Sequence, residues 1–154
     1  MEINKGNLLN LTVIKYLQDK PYNSKNENSS PNNFNNKNWD LNCLPDIASC
    51  LWEDFTVLLP EKCQWVFHGT PVLINPKSGV IFGLAEGTLP PLLQLNISNI
   101  EGALEKGAKR TLSNSDGIYA NANQIGLNWL YCFTFLEDVT KLCFQSYNDA
   151  FAGL

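Results

Sequence analysis

Pro71-Val72-Leu73-Ile74-Asn75-Pro76-Lys77-Ser78-Gly79-Val80-Ile81-Phe82-Gly83-Leu84-Ala85 is the stretch that decides the fold of this 154-residue chain. Two apolar, largely β-branched runs, 72–74 and 80–82, flank Asn-Pro-Lys-Ser-Gly. Pro76 presets the φ that a turn needs, and Gly79 can take the left-handed conformation that closes a hairpin. The runs are continuous rather than alternating, so both faces of these strands require cover.

Outward from this hairpin, residues 62–67 and 92–95 supply a further strand on either side, the second after Pro90-Pro91. Short turns make consecutive pairing antiparallel, which predicts a meander, with a bulge expected at Gly69 or Gly83. Upstream, 46–59 reads as a helix with Ile47, Cys50, Leu51, Phe55 and Leu58 on one face, Pro45 in its first turn and Pro60 ending it. Residues 7–18 form a weaker helical pattern through Leu9, Val13, Tyr16 and Leu17; Leu9, Leu11 and Val13 also alternate as in a strand, and helix is the reading preferred. Downstream, Ser98-Asn99-Ile100-Glu101 fits a capping box for a short helix ending near Gly107. The basic residues Lys106, Lys109 and Arg110 suit that helix's C-terminus. A turn at 113–117 separates strands at 110–112 and 118–120, and the aromatic run 127–133 is strand-like. A second box, Thr134-Phe135-Leu136-Glu137, opens a terminal helix whose inward face is Leu136, Val139, Cys143, Tyr147 and Ala150. Leu142, Phe144 and Phe151 widen its apolar sector, as deep burial or a subunit contact would require.

The predicted fold class is α+β: one domain over 1–154, an antiparallel β-meander sheet of about four to six strands with helices packed mainly on one face. The second face then needs the N-terminal segment, residues 21–38 or a second subunit, and the last of these implies a homodimer. Residues 21–38 are rich in Asn, Ser, Lys and Glu, with Phe34 nearly the only apolar side chain, and read as a flexible loop.

Charge bounds the partners. Lys and Arg total 11 against 15 Asp and Glu, a net charge of -4 that opposes nucleic acid, whose phosphates need a basic stripe. No run reaches the roughly 18 to 20 apolar residues of a membrane span. The first residues have neither the basic flank nor the apolar block of a signal peptide. Five cysteines without regular spacing and a single histidine fit buried thiols in a reducing cytoplasm; no metal site and no cofactor are expected.

Chemistry is sparsely written. Any imidazole acid–base must be His68, at a strand end before Gly69. Cys63 lies five residues upstream, an odd separation that puts the two on opposite faces of a strand unless a bulge intervenes, so a partner for His68 would have to be Cys132, Cys143 or a carboxylate brought to it by tertiary contact. Gly83-Leu84-Ala85-Glu86-Gly87-Thr88 lacks a phosphate loop's lysine and precedes Pro90-Pro91 rather than a helix, so it reads as a turn. Glu53-Asp54 and Glu137-Asp138 diverge on their helices, and no Gly-x-Ser-x-Gly occurs. Trp52, beside the core stripe of its helix, His68, and Trp129 in the aromatic run are the binding candidates. The expectation is a non-catalytic cytoplasmic interaction or accessory module that self-associates, with a further protein partner open. The alternative is a small-ligand or hydrolytic protein with a pocket near His68 and a cysteine.

Overall fold

Strands buried on both faces need a layer on each side, and the chain supplies both. The computed structural model describes residues 2–19, 28–29, 43–136 and 138–151. Among these, six strands form one antiparallel sheet in the order β1 (Asn28–Ser29), β2 (Gln64–Phe67), β3 (Thr70–Ile74), β4 (Ile81–Leu84), β5 (Leu92–Gln94) and β8 (Trp129–Tyr131). The first five follow chain order and make the meander. β8 returns to the edge of β5 after the chain has built α3 (Ile97–Glu105) and a ribbon of β6 (Thr111–Asn114) and β7 (Gly117–Asn121). The fold is α+β, as the hydrophobic pattern implies.

Every residue of β3 and β4 is buried. Val72, Ile74, Ile81 and Leu84 enter one apolar cluster, and Leu73 and Phe82 the other. Leu73 pairs with Gly83 and Ile74 with Ile81, so Phe82 is an extra residue in β4. This bulge returns Leu84 to the face of Ile81. It sits beside Gly83, where a Cβ would come within 3.0 Å of Leu73 Cδ1 and 3.2 Å of Leu51 Cδ1.

The Leu73 side is covered by α2 (Pro45–Ser49) with the turns that continue it, by α3, and by α4 (Val139–Phe151). Opposite, α1 (Leu8–Gln18) lays Val13 and Leu17 on the sheet, joined by Leu112, Ala122 and Ile125. Helices thus gather mainly on one face, and the N-terminal segment fills the role that a second subunit could have had. The expected loop at 21–38 lies outside the described residues, apart from Asn28–Ser29, which pair with Phe67 and Val66.

Three local expectations are corrected. The helix over 46–59 is irregular: α2 passes into a π turn (Cys50–Asp54) and a 3-10 turn (Phe55–Leu58). The wider turn rotates Trp52 inward, where its indole N–H donates to Val72 O at 3.0 Å, and leaves Leu58 exposed. The Trp52 carbonyl accepts instead from Thr56 Oγ1 at 2.7 Å and Gln64 Nε2 at 2.8 Å. At α3 the cap is Asn96, whose side chain accepts from Ser98 N, rather than Ser98 itself. A helix from Thr134 is not what forms either: residues 134 and 135 lie in a turn, and α4 begins at Val139. Its apolar width is spent mostly inside, on Leu142, Cys143 and Tyr147, with Phe144 and Phe151 left exposed.

The basic cluster is only partly at a helix end. Lys106 is the C-cap residue of α3, 3.8 Å from Asp138, whereas Arg110 donates to Leu127 O at 2.9 Å.

Candidate functional site

His68 and Gly69 are the two-residue turn between β2 and β3, with φ of +49° and +72°. Positive φ at both central positions matches the twist of a tight hairpin, but a side chain there is under strain. His68 is only 5% exposed, and its ring meets Phe67 edge-on with centroids 4.4 Å apart. Among the described residues neither ring nitrogen has a hydrogen-bond partner, and the same is true of the buried Thr70 hydroxyl two residues on.

The thiols lie elsewhere. Cys63, Cys132 and Cys143 pack in the cluster on the Leu73 side, whereas Phe67, which His68 touches, belongs to the opposite cluster. Cys63 and the Phe67 ring that His68 meets therefore lie on opposite faces of the sheet, with Cys63 just outside β2. Burial pushes the Cys132 thiol up to about 12, and burial with the Glu61 charge does the same for Cys63. Burial also raises Cys143. Thiols held protonated are poor nucleophiles. No group of three or more His, Cys, Asp or Glu among the described residues could hold a metal ion.

The other two binding candidates are interior. Trp52 is bound to Val72 O, and Trp129 is fully buried against the α1 side, its indole N–H without a partner among the described residues.

Two features were not legible in the sequence. Glu86 is buried and accepts the Tyr16 hydroxyl, 2.7 Å from Oε1 and 2.8 Å from Oε2. Burial foremost, then the Glu86 charge, raises both Tyr16 and Tyr131, the latter to about 12. An acid just before Gly87 (φ +55°) reads as turn chemistry, and nothing local says that α1 will reach it.

The second is an open apolar hollow of about 160 Å³. It is lined by Ile47 and Cys50, by Pro90, Pro91 and Thr88, and by Phe133, Thr134 and Phe135. The two phenyl rings stack with centroids 5.1 Å apart, yet Phe135 is 78% exposed. Leu44 N donates to Gly87 O at 3.0 Å, which sets the half-exposed Leu44 side chain beside the same loop. Among the described residues, none that lines the hollow is charged.

No family model matches the chain, nor does any curated protein or solved structure. No helix among the described residues is long and apolar enough to cross a membrane.

Proposed function

We propose that the protein is a non-catalytic, self-associating interaction module of the cytoplasm, and that the hollow between Ile47 and Phe135 is where it makes contact. The observation that carries this reading is Phe135. Phe135 is mostly in water and stacks on Phe133 beside an apolar hollow with no charged side chain among its described lining residues, and aromatic anchors beside pockets are where binding energy concentrates. Two further observations support it. The thiols that the alternative needs, Cys63, Cys132 and Cys143, lie in the cluster opposite the one that holds Phe67, and the buried Glu86 carboxylate accepts the Tyr16 hydroxyl. All five cysteines are free, which suits a reducing compartment.

Sedimentation velocity on the purified chain across a concentration series tests the reading. A mass that rises reversibly from monomer to a defined oligomer is the expected result. A monomer throughout the micromolar range would overturn self-association.

A further inference from the structure

We propose that one ordered water molecule is bound where β5, α4 and the approach to β8 meet, held by Gln94 as a fixed part of the fold. Gln94 ends β5 and is only 7% exposed, and its Nε2 donates to Leu9 O of α1 at 3.2 Å. That bond fixes the amide, because turning it over would set Oε1 against the Leu9 carbonyl, acceptor against acceptor. Among the described residues Oε1 has no hydrogen-bond partner. Buried oxygens of this kind are nearly always met, by protein or by an ordered water.

Gln94 also lines a small cavity, together with the polar residues Asn96, Asn128 and Asp149 and with Ala150 of α4. The cavity leaves about 10 Å³ for the centre of a water molecule. That is room for one water and too little for an organic ligand. Chemistry selects water over a metal cation. A hard cation gathers about six or more oxygens. Here both Asp149 oxygens already accept hydrogen bonds, from Asn96 N at 2.8 Å and from Asn99 Nδ2 at 3.0 and 3.1 Å. A water needs only about two to four polar partners. It can donate to Gln94 Oε1 and to Asp149, and accept from the Asn128 side-chain amide. So placed, it ties β5 to the last turn of α4 and to the residue before β8.

The test is a high-resolution crystal structure of the full chain, grown with rubidium chloride, beside water relaxation dispersion in solution. The expected density is a peak without anomalous signal, within hydrogen-bond reach of Gln94 Oε1 and of Asn128 or Asp149. Relaxation dispersion counts long-lived waters, and it should find one fewer in Gln94→Met than in the wild type. Met keeps the length and unbranched shape of Gln but offers no comparable acceptor. Ala150→Val adds volume at the cavity and leaves Gln94 intact, so it should show the same loss.

An anomalous rubidium peak would assign the cavity to a cation and overturn the proposal. Oε1 bonded directly to Trp129 Nε1, its neighbour across β5 and β8, with no water beside it, would overturn it too. An unchanged water count in either folded variant does the same, and where neither variant folds the wild-type density decides alone.

Discussion

The side chain of Asn10 is hydrogen-bonded into the central hairpin as if it were another strand: its Oδ1 accepts from Ile81 N at 2.9 Å, and its Nδ2 donates to Gly79 O at 2.8 Å. The same amide nitrogen reaches Asn4 O at 2.8 Å, so one fully buried residue ties α1, the N-terminal segment and β4 together. Replacing it by Leu would leave the Ile81 amide and the Gly79 carbonyl buried with a partner missing. Each such loss costs about 1–3 kcal/mol, so Asn10→Leu should lower stability by about 3 kcal/mol. Urea denaturation should show a lower midpoint with an unchanged slope.

Tyr16 is the second clamp of α1. Its hydroxyl lies within 2.8 Å of both carboxylate oxygens of the buried Glu86. Hydrogen bonds to charged groups are worth about 1.5–3 kcal/mol, so Tyr16→Phe should cost about 2 kcal/mol. The loss should be local first. Amide exchange is expected to speed up across Leu8–Gln18 before it does so in β3 and β4.

What was legible follows from periodicity. Residues 72–74 and 80–82 announce a hairpin buried on both faces because every position is apolar, and a local rule suffices. The meander follows from the short turns. The helix starts were less readable, because Asn96 caps as well as Ser98 does and only three-dimensional packing selects between them. The π turn at Cys50–Asp54 has no sequence rule, and it moved Trp52 from the edge of its helix into the core. The candidate contact surface was not legible at all. Ile47, Pro90 and Phe135 are 43 and 45 residues apart in succession, and each is read for its own element, a helix face, a strand entry and a helix cap, with nothing local to bring them together.

Alkaline pH should unfold the protein early. Cys63 and Cys132 rise from an ordinary 9.0 to about 12, and Tyr131 from 10.0 to about 12, each chiefly through burial. The folded state thus holds protons that the unfolded chain releases, so stability is full below pH 9.0 and falls as pH climbs toward 12. Chemical denaturation at steps between pH 8 and pH 12 should show this decline, on the order of several kcal/mol in all. Cys132→Ala should be less stable at neutral pH yet show a shallower alkaline slope.

The Thr70 hydroxyl makes the opposite kind of prediction, a gain. Thr70 is fully buried on the face that α1 covers, and Oγ1 has no hydrogen-bond partner among the described residues. Valine has the same branched shape without the polar atom, so Thr70→Val removes a desolvation cost and keeps the packing. Stability should rise by about 1 kcal/mol, read as a higher melting temperature. The adjacent turn tests the same physics through the backbone. At φ +49°, His68→Gly relieves strain and withdraws two unpartnered ring nitrogens, but it also removes the edge contact with Phe67. Thr70→Val is therefore expected to stabilise more than His68→Gly, and a lower melting temperature in Thr70→Val would show that the hydroxyl is satisfied in solution.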